Sequence, residues 1–194
     1  VITVTTHRGD AVGPWLDAVA ALRIAVFAEW PYLYAGDVAY ERQYLARYAA
    51  SPRALFVLAH DGERVVGAST AVPLADEAPM FQAPFLARGI ALDAVFYFGE
   101  SVLLPAYRGQ GLGHRFFDER EAVARATPGT RWTAFCAVLR DADDPRRPPG
   151  QRGNEVFWNK RGYLPQDDMV AELDWPEVGG GEARHRLRFW LRPL

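Results

Sequence analysis

The chain has 194 residues, 49% of them hydrophobic, and a formal net charge of −2. That length and apolar content suffice for one buried core and point to a single domain over residues 1–194, while near-neutral charge and scattered basic residues give a nucleic-acid role no electrostatic support. No apolar run reaches the length of a membrane span, since the best candidate, Ala18 to Phe27, is broken by Arg23.

The first residues show no basic segment followed by an apolar stretch, so no secretory signal is expected. The one cysteine, Cys136, excludes an internal disulfide and suits the cytosol. Its apolar surroundings would raise the thiol's pKa, which favours a small buried hydrophobe over a nucleophile.

Val1 to Thr6 alternates as a first strand. Gly13-Pro14 is expected to open a helix with an apolar stripe of Trp15, Val19, Leu22 and Val26, ended by Pro31. A second amphipathic helix is expected from Val38 to Ala50. Strands Leu55 to Ala59 and Val65 to Val72 flank Asp61-Gly62, a strong hairpin signal. A short helical stretch at Pro84 to Arg88 leads to the apolar strand Val95 to Leu104. A glycine-rich turn and a helix follow, and then the strand Trp132 to Val138, which the crossover makes parallel to the previous one. Asp141 to Gly153, rich in proline, arginine and aspartate, reads as a mobile loop. A helix from Asn154 to Lys160 is stopped by Gly162 in a left-handed conformation. Strands Met169 to Leu173 and Arg184 to Leu191 close the chain around Gly179-Gly180-Gly181. The last strand, bearing Trp190, is expected to leave an edge exposed for a homodimer.

The turn after the apolar strand reads Arg108-Gly109-Gln110-Gly111-Leu112-Gly113 and opens a helix. Its glycines let backbone approach an anion, and the helix start supplies unpaired N–H groups and positive dipole. A P-loop would need Gly-Lys-Ser/Thr where His114 and Arg115 stand. The dinucleotide fingerprint would need a glycine at His114 and a place on the first strand of the fold. The remaining pattern, Q/R-x-x-G-x-G/A after a strand and a proline, is met at Arg108, Gly111 and Gly113. It resembles the pyrophosphate-binding motif of the GNAT N-acetyltransferase superfamily. The element order also resembles the GNAT fold, an α/β (α+β) architecture with a central mixed twisted sheet of about six to seven strands and helices on both faces.

The resemblance implies transfer of an acetyl group from acetyl-coenzyme A, as co-substrate, to an amine. It implies that the strand before the turn splays from the next parallel strand and receives the pantetheine arm through the backbone of Val102 and Leu103. The pyrophosphate would then meet Arg108 and the amides of Gly109, Gln110, Gly111, Leu112 and Gly113, with His114 adding a donor. Glu100, inside an apolar strand, must be paired, hydrated or shifted upward in pKa. One reading makes it the base that deprotonates an amine of pKa roughly 10, a role many GNAT enzymes give a glutamate on this strand. The other makes it a structural ion pair with Arg23 or Arg88.

Phe157 through Tyr163 resembles the family's second motif, but Trp158 stands where a tyrosine acid is expected. Indole N–H does not give up its proton. Tyr163, Tyr107 or a water could protonate the leaving thiolate, or no acid is needed, since a thiol of pKa about 8.5 leaves tolerably unaided. Phe157 and Trp158 would pack against the coenzyme. Trp30, Tyr32, Tyr34, Asp37 and Glu41 are candidates for an acceptor pocket suited to a cationic amine. Arg146, Arg147 and Arg152 could cap a distal phosphate. His7, His60 and His185 have no metal-ligand spacing, and no metal is expected.

The resulting expectation is a cytoplasmic N-acetyltransferase acting on a primary amine of a small molecule by direct attack, with no acyl-enzyme, since no Ser/Cys-His pair stands out. A protein or peptide acetyltransferase, a noncatalytic acyl-coenzyme A sensor and a nicotinamide binder are the alternatives.

Overall fold

The computed structural model describes residues 1–194. Its strands are β1 (Ile2–Arg8), β2 (Leu55–Asp61), β3 (Arg64–Pro73), β4 (Val95–Leu103), β5 (Trp132–Val138), β6 (Leu164–Pro176) and β7 (Glu182–Pro193). The helices are α1 (Leu16–Phe27), α2 (Val38–Ala49), α3 (Pro79–Ala87), α4 (Leu112–Ala126) and α5 (Glu155–Lys160). Together the strands make one mixed sheet in the order β1-β2-β3-β4-β5-β7-β6, in which only β4 and β5 are parallel.

Two apolar layers fix the helices to the sheet. One joins Val19, Leu22, Leu45 and Phe85 of α1, α2 and α3 to Leu58, Tyr97 and Val102. The other joins Phe116 and Phe117 of α4, with Phe157 and Trp158 of α5 at its margin, to Val57, Phe98 and Phe135. Burial of β2 and β3 on both faces matches their continuous apolar sequence.

Several boundaries differ from the sequence reading. Gly13 and Pro14 lie in a short 3-10 helix, Gly9–Trp15, so α1 begins only at Leu16. It ends at Phe27, before Pro31, because residues 28–36 turn away to meet the β6–β7 hairpin: Ala35 N–H donates to Pro176 O at 2.8 Å and Val178 N–H to Leu33 O at 2.7 Å. Pro79, not Pro84, opens α3, with the Gln82 amide holding the carbonyls of Leu74, Ala75 and Glu77.

The final strand is not an edge. Strand β7 is inserted between β5 and β6, pairing Trp132↔Pro193 through Val138↔Leu187 on one side, and Trp190 is 2% exposed. The expected homodimer edge at Trp190 is therefore corrected: the outer strands are β1 and β6. The latter carries Asp167, Asp168, Glu172 and Asp174, charges that discourage pairing with another chain.

Candidate active site

Strands β4 and β5 pair only at Val95↔Trp132, Phe96↔Thr133 and Tyr97↔Ala134. Beyond these pairs the two strands part, and the facing edges of residues 98–103 and 135–138 pair with no other strand. Backbone polar groups along such a gap can receive an extended ligand by strand-like hydrogen bonds, with Glu100 O and Leu103 O already taken by Arg120 and Arg108. Val102 and Leu103 border it. Val102 is fully buried, and Leu103 rests on Gly67 of β3, where a Cβ would meet Leu103 Cδ1 at 2.7 Å and Phe116 Cζ at 2.9 Å.

A β-bulge on β4 sets the side chains around the gap. Ser69 opposes Ser101 and Ala71 opposes Phe98, so Thr70 faces the two residues Gly99 and Glu100. Before the bulge Tyr97 points to α1 and Phe98 to α4; after it Val102 points to α1 and Leu103 to α4. The extra residue thus inverts the alternation and sends Glu100 to the α1–α2 face and Ser101 to the α4 face. Arg120, on α4, reaches the same place. Its Nη1 donates to Glu100 O at 3.1 Å and Thr70 O at 3.3 Å, and its Nη2 to Ser101 Oγ at 2.8 Å.

The glycine-rich turn lies where β4 ends. None of the amides from Gly109 to His114 donates a hydrogen bond within the chain, six N–H groups in succession. Gly109 and Gly111 have φ of 76° and 81°, in the left-handed region, and a Cβ on either would meet nothing within 4 Å. Gly111 is the N-cap of α4, so the helix's positive end adds to these donors. Gln110 leans back, its side-chain Nε2 donating to Ala106 O at 3.2 Å. Leu112 is buried beneath the turn, and Gly113 sits 3.6 Å from Phe157 Cζ measured from an added Cβ. A diphosphate fits this cradle by charge and by donor number.

The structure places the expected side-chain donors less uniformly. His114 packs its ring 4.8 Å from Phe157 and its Nδ1 lies 3.1 Å from Arg161 Nη1, which leaves Nε2 free beside the turn. Arg108 is turned the other way: its Nε donates to Leu103 O at 3.0 Å and its Nη2 to Glu29 at 3.0 Å. Trp158 packs 5.0 Å from both Phe135 and Trp190. The two other candidate acids have committed hydroxyls. Tyr163 is fully buried and donates to Glu121 at 3.1 Å, with burial pushing its phenol up, and Tyr107 donates to Asp61 at 2.8 Å.

Glu100 is 9% exposed and lies in a buried charge cluster. Arg23 of α1 bridges it to the fully buried Glu41 of α2, with Arg23 Nη1 2.7 Å from Glu100 Oε1 and Nε bonded to Glu41 Oε2. Burial alone would lower the Arg23 pKa, but Glu100 and Glu41 more than offset it and keep the guanidinium charged. Tyr44, whose phenol is raised by burial, donates to Glu100 Oε2 at 3.3 Å. Glu100 Oε1 is close to Arg23 but off the hydrogen-bonding axis, so it and Glu41 Oε1 have no hydrogen-bond partner. Two carboxylates share one guanidinium, leaving one negative charge uncompensated. Arg88 takes no part, being paired with Asp168.

Of the five residues expected around an acceptor, Glu41 belongs to this cluster and Tyr34 lies against it, its phenol raised by burial and by the neighbouring Glu41 carboxylate. Asp37 caps α2, its Oδ1 accepting from Tyr40 N–H at 2.9 Å. Burial raises the Tyr32 phenol, with Cys136, the Val138 backbone and Glu100 within its electrostatic reach. Tyr34 bridges to Glu177 through its backbone, and Trp30 lies 5.9 Å from the Arg140 guanidinium. The 141–153 loop is anchored near its start, Arg146 pairing with Asp144 and Glu177, while Arg147 Nη2 donates to Gln151 O. Cys136 is half-buried rather than buried, its Sγ lies 3.2 Å from Tyr97 Oη, and desolvation pushes its thiol up to about 12. Sequence reasoning missed Tyr44, Ser101 and Arg120. Tyr44 carried a signal, standing three residues after Glu41 on one helix face.

No protein-family model matches the chain, and no curated protein matches it in sequence. Solved structures do match in fold. An N-acetyltransferase from Staphylococcus aureus Mu50 aligns over 100% of this chain and 98% of its own, with TM-score 0.63 and 12% identity. A Drosophila melanogaster polyamine N-acetyltransferase aligns over 100% of both chains, with TM-score 0.62 and 12% identity. The protein yncA from Salmonella typhimurium, solved with its cofactor acetyl-CoA, aligns over 99% of this chain and 94% of its own, with TM-score 0.58 and 15% identity. The likeness shows the fold from end to end, and that fold is the one of the GNAT acetyltransferases.

Proposed function

We propose that, on this GNAT fold, the protein transfers the acetyl group of acetyl-coenzyme A to a primary amine of a small molecule by direct attack. One observation carries the reading: six unpartnered amides, Gly109 to His114, stand at the end of a strand whose parallel neighbour has moved away. The amides would hold the diphosphate, and the backbone of Val102 and Leu103 the pantetheine arm. His114 Nε2 adds a donor at the turn, and Phe157 and Trp158 an apolar wall. When bound, acetyl-coenzyme A supplies an activated acyl thioester.

Glu100 serves as base. An alkyl amine of pKa roughly 10 arrives protonated at neutral pH, and Glu100 takes that proton on a carboxylate oxygen, directly or through water. Tyr44 and Arg23 fix the carboxylate, so the ion-pair reading and the base reading describe the same residue. The excess negative charge of Glu41 and Glu100 over Arg23 favours a cationic acceptor, with Tyr44 and Tyr32 as aromatic walls. No helix is long and apolar enough to cross a membrane, and a cytoplasmic site of action is part of the proposal.

Calorimetry with coenzyme A and thiol release with a panel of amines test the reading. Binding together with release for small cationic amines is the expected result. Binding without release for any acceptor would make the protein a sensor, a reading favoured by Trp158 in the tyrosine's place. Release with peptides only would make it a protein-modifying enzyme, and binding of NAD in place of coenzyme A would overturn the family of readings altogether.

A further inference from the structure

Ser101 is the exposed hydroxyl of the diverging part of β4. The bulge turns it to the α4 face, the face that carries Phe157 and Trp158. Its oxygen accepts from Arg120 Nη2 at 2.8 Å, and its hydrogen has no acceptor within the chain. A guanidinium has no lone pair to offer, so the hydroxyl hydrogen must point away from Arg120. Arg120 is bonded to carbonyls at the β3–β4 bulge, and the other edge of β4 borders the gap to β5.

Arg120 is held for geometry rather than for charge balance. It is 1% exposed and forms no ion pair, lying between the rings of Phe98 at 4.4 Å and Phe117 at 4.7 Å. Burial lowers its pKa to about 10, against the pull of Tyr163, Glu100 and other groups. Its bonds go to Phe116 O, to Ser101 Oγ and to the carbonyls of Thr70 and Glu100, which flank the register break. A buried cation without a counter-ion is costly, and here the cost is offset by a fixed bulge and one oriented hydroxyl.

We propose that Ser101 is a catalytic residue: its hydroxyl, held by Arg120, donates its hydrogen into the gap to the departing sulfur, in the place that Trp158 leaves without a donor. This rests on the acetyltransferase reading above. Glu100 takes the first proton from the ammonium; the C–N bond then forms from the freed lone pair, the C–S bond breaks with its electron pair staying on sulfur, and the second nitrogen proton passes to solvent water as the amide forms. Ser101 keeps its own proton and lends a hydrogen bond, which stabilises charge as it develops. Arg120 is the positioning residue.

The test is the ionisation of the coenzyme A thiol bound to the protein, followed by thiolate absorption against pH in wild type, Ser101→Ala, Ser101→Thr and Arg120→Lys. Ser101→Ala is expected to raise the bound thiol's pKa by about one unit, a tenfold change in ionisation. It is also expected to lower kcat roughly tenfold to a hundredfold with little change in KM for the amine. Threonine, which keeps the hydroxyl and suits a strand, should restore both. Arg120→Lys keeps the charge but loses the fork, and should move the thiol the same way as alanine. Equal thiol ionisation in wild type and Ser101→Ala, with coenzyme bound to both, overturns the role of Ser101; equal ionisation in Arg120→Lys overturns that of Arg120. Wild-type protein that binds no coenzyme A overturns the acetyltransferase reading itself, and this inference with it.

Discussion

Two buried arginines face the same bulge from opposite sides of the sheet, and they are used differently. Arg23, from α1, spends its donors on carboxylates and is kept charged by them. Arg120, from α4, spends its donors on carbonyls and a hydroxyl, and burial without a counter-ion lowers its pKa. The first composes an electrostatic site; the second holds backbone in a shape the sheet ladder would not keep. Charge and geometry at Glu100 are therefore set by separate side chains on separate layers, and each can be removed without removing the other.

Replacing Glu100 by Gln should break the chemical half of the comparison. The expected loss in kcat/KM is on the order of a hundredfold to ten-thousandfold, with coenzyme binding unchanged by calorimetry. Turnover equal to wild type across pH would remove Glu100 as base.

Arg23→Met should destabilise the fold by about 3–5 kcal/mol, since two buried carboxylates lose their cation. Thermal unfolding should show a fall on the order of 10 °C. Adding Glu41→Gln should recover part of that loss, and a double variant no more stable than Arg23→Met would refute the electrostatic account.

Arg120→Met should cost about 2–4 kcal/mol, through orphaned carbonyls at Thr70 and Glu100. Glu41→Gln should not rescue it. Rescue there would mean that the two arginines do the same work.

A smaller effect is expected at Gly111. Alanine there must adopt a φ of 81°, costing about 1 kcal/mol in unfolding free energy, although the added methyl meets nothing. Denaturant melts measure it.

A pH dependence confined to acid is expected from Glu177. Burial would raise its pKa, but donors from His185, Arg146 and Arg140 outweigh this and bring it from 4.5 to about 2. The folded value is the lower one, so its stabilisation is present above about pH 4.5 and is lost as pH falls toward 2. Glu177→Gln should flatten acid unfolding over that window, as followed by circular dichroism.

The turn at Gly111 and the carboxylate at Glu100 were legible in the sequence because each is a local anomaly: clustered glycines before a helix, and a charge in an apolar strand. Strand order was less legible. Nothing in Arg184 to Leu191 marks it for insertion between β5 and β6, since pairing across the sheet is fixed by long-range packing. Arg120 was hidden for another reason. It sits in Asp118-Glu119-Arg120-Glu121, a run that reads as a solvated helix face, yet Arg120 and Glu121 are buried against the sheet. The bulge left only Gly99 as a trace, where a Cβ would meet Thr70 Oγ1 at 2.6 Å and Tyr48 Oη at 2.9 Å.

Gly67 governs the site from a distance. A methyl group there would strike Leu103 and Phe116 together, and both would have to shift for the chain to close. The width of the opening beside Leu103 is consequently gauged on the neighbouring strand, by a residue with no side chain of its own.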